Sequence, residues 1–158
     1  MLDLPEPGLY RTTQAMPEHE REFPADVLVF IGQHGTNGSG GSFVVRPGRN
    51  KGNRWFWGEP TTPLRSPSWG STLKKLPSEG FYTLPETLEL GTNGRWLKNA
   101  IVQLGYNEQG KGIVFVAERR SASEENALFF SDRGVQIEDS LLDRLIWAPI
   151  LPVNAQTT

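Results

Sequence analysis

The sequence predicts a mainly β protein in which one structural unit occurs twice. Seventeen Gly and twelve Pro among 158 residues indicate frequent turns and disfavour a helical bundle. Short runs rich in β-branched and aromatic residues, such as residues 27–31, end at glycine in the manner of strands. Similar features recur in the same order at an offset of about 72 to 75 residues, which indicates an internal repeat.

Four pairs of segments and a shared ending support the repeat. The pairs are Gly8-Leu-Tyr10 with Gly80-Phe-Tyr82, residues 27–32 with 100–105, Phe43-Val-Val45 with Phe115-Val-Ala117, and residues 53–57 with 126–130. Each copy then closes with a short helical pattern and a proline. We therefore predict a first repeat over residues 1–77 and a second over residues 78–158.

Each copy contains a predicted hairpin followed by a further strand. In the first copy, strands at 27–31 and 43–46 flank a Gly-rich loop at 33–41, and Trp55-Phe-Trp57 forms the next strand. In the second copy, strands at 101–106 and 113–117 flank a polar connection at 107–112, and Leu128-Phe-Phe130 follows.

A short helix is predicted near the end of each copy. Ser66-Pro67 is typical of an N-cap followed by proline, and Trp69, Leu73 and Leu76 then share one face, with Lys74-Lys75 at the C-terminal end. In the second copy Asp139 or Ser140 caps a helix whose apolar side carries the residues Leu141, Leu142, Leu145 and Ile146.

This order of elements resembles the SH3-like small barrels. The resemblance rests on Gly8-Leu-Tyr10, on an acidic loop at 18–22, and on the turn Phe23-Pro-Ala-Asp26 that opens the hairpin. It implies an SH3-like barrel in each copy. With the helical patterns above, we predict two similar barrels packed together, each ending in a short helix; one duplicated sandwich is the alternative. The paired tryptophans and the closing Pro-x-x-Tyr of the peptide-binding members are absent, so proline-rich peptide recognition is not implied.

Two strand runs, at 27–31 and 113–117, are apolar at consecutive positions. A strand with one wet face would alternate apolar and polar residues, so we expect both faces of these strands to be covered. The other copy is the expected cover, and an oligomer interface is the alternative.

Several classes of site are disfavoured by the sequence. There is no cysteine, His19 and His34 lack metal-ligand spacing, and neither a nucleophile elbow nor a phosphate-binding loop motif is present. We therefore predict no catalytic residues, no metal and no cofactor. No apolar run approaches the ~20 residues of a membrane helix, and the first residues lack signal-peptide features, so we expect a cytoplasmic protein that does not bind a membrane.

The most suggestive feature is a basic-aromatic stretch. Between Gly41 and Ser78 the only acidic residue is Glu59, whereas the cations are Arg46, Arg49, Lys51, Arg54, Arg65, Lys74 and Lys75. Four aromatic residues lie among them: Trp55, Phe56, Trp57 and Trp69. As the partner-binding residues we predict Arg46, Arg49, Lys51, Arg54, Arg65 and Trp69, because exposed Arg and Trp most often carry interface energy.

Three functions fit these observations. The first is a non-enzymatic protein-binding module, an accessory or adaptor component of a bacterial complex. The alternative is a nucleic-acid-binding small-barrel protein that uses residues 46–75, since cations bind phosphate and aromatic rings stack on bases. The second alternative is an immunity protein that inhibits a toxin or enzyme through the acidic residues at 18–22 and 138–143.

Overall fold

The computed structural model describes residues 3–35, 40–58, 62–118, 129–130 and 134–148. The predicted mainly β class is confirmed, because these residues form several antiparallel sheets and only short helices. Glu59 and residues 126–128, which the sequence analysis uses, lie outside the described residues, as does part of the Gly-rich loop.

The elements in chain order are β1 (Gly8–Arg11), β2 (Leu28–Gln33), β3 (Ser42–Val45), β4 (Pro47–Lys51), β5 (Arg54–Trp57), β6 (Thr62–Pro63), α1 (Pro67–Gly70), β7 (Lys74–Lys75), β8 (Gly80–Thr83), β9 (Leu88–Glu89), a 3₁₀ turn (Gly91–Asn93), β10 (Arg95–Trp96), β11 (Ile101–Tyr106), β12 (Gly112–Glu118), β13 (Phe129–Phe130), β14 (Val135–Gln136), α2 (Asp139–Leu142) and β15 (Ile146–Trp147).

The chain divides into two compact units. Unit 1 comprises Met1–Ser78 and Tyr106–Lys111, and unit 2 comprises Glu79–Gly105 and Gly112–Thr158. The segment Tyr106–Lys111 belongs to unit 1 because Leu28 N donates a hydrogen bond to Glu108 O (2.8 Å) and Arg11 Nη1 donates one to Gly110 O (3.2 Å). The predicted repeat bounds, 1–77 and 78–158, stay a prediction.

Unit 1 is built on a five-stranded antiparallel sheet in the order β6-β3-β2-β1-β7. Tyr10 lies opposite Val29, and Ile31 lies opposite Val44. Leu28 and Val29 are consecutive and both fully buried. Since consecutive side chains of a strand point to opposite faces, both faces of β2 are covered here, as its apolar run predicts.

The core of unit 1 combines residues of this sheet with residues of α1 and of the segments that connect the strands. The buried cluster comprises Tyr10, Met16, Phe23, Val27, Val29, Ile31, Val44, Leu64 and Trp69. Met16 and Phe23 come from the long connection between β1 and β2, and Met16 N donates a hydrogen bond to Phe23 O (2.9 Å). These two buried side chains fix both ends of the polar loop at residues 17–22 to the core.

Unit 2 is built on a sheet in the order β13-β12-β11-β8-β15, with β14 also paired to β12. Tyr82 lies opposite Val102 and Thr83 lies opposite Ile101. Its buried apolar residues include Leu84, Val102, Leu104, Val114 and Leu142.

The prediction that each copy ends in a short helix needs correction, because an edge strand follows each helix. α1 ends at Gly70, and Lys74–Lys75 pair with β1 instead of extending the helix. The Thr72 hydroxyl donates to Trp69 O (2.6 Å) and so occupies a carbonyl at the helix end, a local bond that competes with further helix. α2 likewise ends at Leu142, and β15 pairs with β8.

Within the described residues the sheets are open and no barrel closes. The SH3-like barrels therefore stay a prediction. In the same part of the chain, no helix has the length and apolar character needed to cross a membrane.

Candidate partner-binding site

The β4–β5 hairpin presents the most distinctive surface of unit 1. Its strands are joined by Gly52 (φ 61°) and Asn53 (φ 64°), with Lys51 directly opposite Arg54. Two connecting residues with positive φ are the signature of a type I′ turn, whose twist matches that of the strands. The Gly52-Asn53 turn therefore favours the pairing of β4 with β5.

One face of the hairpin is fastened to the rest of unit 1. The Trp57 ring stacks on Phe30, with centroids 5.3 Å apart and planes 23° apart. Trp55 Nε1 donates a hydrogen bond to Tyr106 O (2.7 Å). Trp55 and Trp57 are two residues apart on one strand, so they point to the same side.

The opposite face is exposed and cationic. It carries Arg49, Lys51, Arg54 and Phe56, which we call the basic face. The Phe56 side chain is 49% exposed, and the Arg49 guanidinium carbon lies 5.3 Å from its ring centroid, within cation–π range. The sequence has no carboxylate between Gly41 and Gly58, and none of the described residues forms an ion pair with the three cations.

The arrangement of charges on the basic face is unfavourable for the isolated protein. Lys51 and Arg54 are a directly opposed cross-strand pair, and like charges in that position destabilise a hairpin. An anion placed between them would remove the repulsion. The geometry therefore suits recognition of an acidic group.

Only three of the six predicted site residues meet on this face. Arg46 is partly buried, and its Nη1 donates to Glu22 O (2.9 Å), while its buried Nε has no hydrogen-bond partner among the described residues. Arg65 is exposed elsewhere in unit 1, where it lines a cavity of about 330 Å³ with Met16, His19 and Ser66. Neither guanidinium belongs to the basic face.

The prediction that Trp69 is an exposed anchor is wrong. Its side chain is only 3% exposed, packs edge-on against Phe23 with centroids 6.4 Å apart, and donates through Nε1 to Gln14 O (2.9 Å). Burial of the large ring and pairing of its one polar atom make Trp69 a core residue.

Sequence reasoning missed the exposed role of Phe56. The parity of the strand could have found it, because two tryptophans at positions 55 and 57 mark one face and leave Phe56 on the other. In unit 2 the prediction that Ile146 lies on the apolar side of a helix is wrong, because it is 51% exposed on β15. The 56% exposure of Trp147, the next residue of that strand, was not predicted either.

The acidic segments and the histidines form no metal centre in the part of the chain that is described, where no group of three His, Asp or Glu residues is close enough to hold an ion. Glu22 accepts a hydrogen bond from Thr62 Oγ1 (3.4 Å), which ties one acidic side chain to the surface of unit 1. In unit 2, Arg144 donates to Glu86 (2.6 Å) and lowers the pKa of that carboxyl.

Comparison with protein-family models, with curated proteins and with solved structures gave no significant match to this chain.

Proposed function

We propose that this chain is a non-enzymatic protein-binding module that binds an acidic surface of its partner through the basic face. The observation that carries the proposal is that Arg49, Lys51 and Arg54 share one face of the hairpin with the half-exposed Phe56. Such a module would serve as an accessory or adaptor component of a larger assembly, as the sequence analysis expects.

The expected binding is electrostatically steered and of modest strength. An exposed ion pair contributes only about 0.2 to 1 kcal/mol, so three cations alone give weak affinity. Charge complementarity acts mainly on the association rate and on specificity. The Phe56 ring adds apolar contact area beside the cations, and aromatic residues are enriched in the cores of interfaces.

We also propose that the two units are copies of one ancestral unit. Support comes from the matching strand orders and from the pairing of Tyr10 with Val29 in one unit and Tyr82 with Val102 in the other. After the helix, Leu76 N donates to Leu9 O (3.0 Å), and Ala148 N donates to Phe81 O (3.0 Å). The SH3-like fold of each copy rests on the sequence resemblance alone.

The register supports a slightly different alignment of the copies from the one read in the sequence. Val44 lies opposite Thr62 in unit 1, and Val114 lies opposite Val135 in unit 2. By this pairing Val44 corresponds to Val114, whereas the sequence comparison matched it with Val116. A shorter hairpin loop in the second copy accounts for the shift.

Binding of single-stranded nucleic acid is the second candidate. The observation that favours it is the exposed Phe56 ring beside three cations, since a ring can stack on a base while cations bind phosphate. The net charge of -2 disfavours it, because nucleic-acid-binding domains are usually strongly basic.

Titration of two fluorescent ligands distinguishes these functions. One is an acidic Glu/Ser peptide of roughly ten residues and the other an oligothymidylate of similar charge, each titrated at about 50 mM and about 200 mM salt. We expect the peptide to bind more tightly and its affinity to fall with salt. Tighter binding of the oligonucleotide would favour the second candidate, and no binding of the peptide at low salt would overturn the proposal.

Charge-matched variants locate the site in the same assay. R49Q/K51Q/R54Q removes the three cations of the basic face, whereas R21Q/R95Q/K98Q removes three exposed cations elsewhere. We expect the first variant to lose binding and the second to keep most of it. Equal loss in both variants would mean that net charge alone, and not the basic face, governs binding.

The immunity-protein alternative makes a different prediction. Its acidic residues, Glu18 and Glu20 among them, would bind a basic partner. E18Q/E20Q would then abolish that binding while R49Q/K51Q/R54Q left it intact, which is the reverse of the pattern expected here.

A further inference from the structure

The cations of the basic face are arranged at the spacing of a β-strand. Arg49 and Lys51 are two residues apart on β4, so their side chains leave the same face ~6.8 Å apart. Arg54 stands directly across from Lys51, where paired Cβ atoms are ~5 Å apart. Phe56 stands across from Arg49 and completes the four positions.

This spacing defines what a ligand must present. An extended peptide laid along β4 places every second side chain on one face, with the same repeat of ~6.8 Å. Carboxylates at positions i and i+2 would then meet Arg49 and the Lys51–Arg54 pair together. Carboxylates at i and i+1, or at i and i+3, leave an extended chain on opposite faces, so only one of them could reach the cations.

We propose that the basic face recognises an extended acidic segment of its protein partner whose carboxylates alternate, in the pattern acid-x-acid. This inference rests on the proposed protein-binding function and specifies its ligand. One carboxylate lies between Lys51 and Arg54 and relieves their repulsion. The other meets Arg49.

Contact with the Phe56 ring positions the Arg49 guanidinium to bind a carboxylate. A guanidinium is planar and carries its N–H donors around its rim, so a side chain held near a ring can still offer donors to a carboxylate. The distance of 5.3 Å between the guanidinium carbon and the ring centroid fits such a contact. Phe56 is therefore inferred to act as a positioning residue for Arg49.

The chain itself contains an alternating acidic run at Glu18, Glu20 and Glu22, but its conformation does not suit the basic face. Residues in this run form turns, Glu18 has a φ of 71°, and Glu22 is hydrogen-bonded to Thr62. An extended strand is not available there. The occupant is therefore assigned to a partner protein, and self-association is an outcome that the test detects.

Three peptides of identical composition test the spacing. Each carries two glutamates in a serine background, separated as Glu-Ser-Glu, Glu-Glu or Glu-Ser-Ser-Glu, and each is titrated into the isotope-labelled full chain while amide chemical shifts are followed. We expect the Glu-Ser-Glu peptide to bind ~1.4- to 5-fold more tightly than the others, the ratio that one additional exposed ion pair provides.

Equal affinity for the three peptides would overturn the inference and leave the proposed function standing. Failure of the Glu-Ser-Glu peptide to bind would also overturn it, and failure of the longer acidic peptide as well would overturn both. A preference for an oligothymidylate of the same charge would assign the face to nucleic acid. Shifts that grow with protein concentration and no peptide would assign it to a second copy of the chain.

Two single variants separate the spacing from general charge attraction. R49Q removes the cation that meets one of the two carboxylates. We therefore expect the preference for Glu-Ser-Glu to fall to ~1-fold, while some affinity remains at Lys51 and Arg54. R95Q removes an exposed cation of unit 2 and should leave the preference unchanged. Loss of the preference in both variants, or in neither, would contradict the assigned geometry.

F56A tests the positioning role of the ring. Without the ring the Arg49 side chain samples more rotamers, so the preference for Glu-Ser-Glu should weaken although no charge is removed. F56Y keeps a ring at the same position and should restore the preference. A preference that F56A leaves unaltered would exclude this role for Phe56.

Discussion

Trp69 and Phe56 are both aromatic residues of the basic-aromatic stretch, and the structure gives them opposite roles. Trp69 is 3% exposed and its indole nitrogen is bonded to Gln14 O, whereas Phe56 is 49% exposed. Both residue types can anchor a protein interface, but the amino-acid composition does not show which of the two side chains is buried and which is exposed. That difference depends on the packing of Trp69 against Phe23, a partner 46 positions earlier that no local pattern indicates.

Truncating each of these rings should affect stability very differently. W69A removes a buried ring and leaves Gln14 O without its donor, so we expect a loss of about 3 to 5 kcal/mol in the free energy of unfolding. F56A should change it by less than about 0.5 kcal/mol because the ring is half exposed. Urea unfolding followed by far-UV circular dichroism measures both. A loss of stability of similar size in the two variants would contradict the assigned burial.

Tyr82 makes stability depend on pH in the alkaline range. Burial raises the pKa of its phenol above the ordinary value of 10.0, so the folded state holds the proton more tightly than the unfolded state. The stabilisation is fully present below about pH 10 and is lost as the pH rises through the folded pKa. We expect Y82F to show a smaller fall in urea midpoint between about pH 9 and about pH 11 than the wild type. An unchanged fall would show that Tyr82 is not the titrating group.

At the scale of elements, the β4–β5 hairpin has two different faces, and the proposed function assigns partner binding to the exposed one. Its aromatic run Trp55-Phe-Trp57 indicates a strand. In the structure this run is part of strand β5, and Trp55 and Trp57 are the two residues that fasten the hairpin to the rest of unit 1. The contact with Phe30 could not be read from the sequence, because it depends on where the hairpin folds back against β2.

Trp57 should hold the hairpin in place, whereas Phe56 should not. W57A removes the ring stacked on Phe30, so we expect the amide protons of β4 and β5 to exchange with solvent ~10-fold faster or more. F56A is the matched control on the adjacent residue, and its exchange rates should stay close to those of the wild type. Hydrogen exchange followed by NMR measures both. Equal protection in W57A and the wild type would mean that the stacked pair does not fasten the hairpin.

The short helices show where local pattern fails. Ser66 caps α1 as predicted, and its hydroxyl accepts from Trp69 N (3.3 Å). The apolar spacing of Trp69, Leu73 and Leu76 suggests a longer helix, yet Lys74–Lys75 pair with β1. The pairing with β1 is a non-local interaction, and it outweighs the weak helical tendency of a segment that contains glycine and threonine.

At the scale of the whole molecule, the net charge of -2 conceals a local concentration of positive charge. The sequence identified the stretch that carries it and predicted six site residues, of which Arg49, Lys51 and Arg54 share one face. Arg46 precedes the hairpin, where it reaches the backbone of Glu22, and Arg65 follows β6. Both residues lie outside the basic face because the chain changes direction between them and the hairpin strands. The amino-acid composition does not show where these changes of direction occur.

Acid binding should be a property of unit 1. The sequence of the second copy that corresponds to the hairpin contains Glu118, Glu124 and Glu125 beside Arg119 and Arg120, so positive charge does not predominate there. If the copies arose by duplication, the basic face is a feature that one copy holds and the other lacks. The acidic ligand should therefore bind with a stoichiometry of one per chain.

Binding at the basic face is tested by mapping amide chemical shifts while the full chain is titrated with the acidic Glu/Ser peptide at about 50 mM salt. We expect the largest changes on β4, β5 and the Gly52-Asn53 turn, and we expect R49Q/K51Q/R54Q to abolish them. Changes centred on another surface, or changes that persist in this variant, would contradict binding at this face.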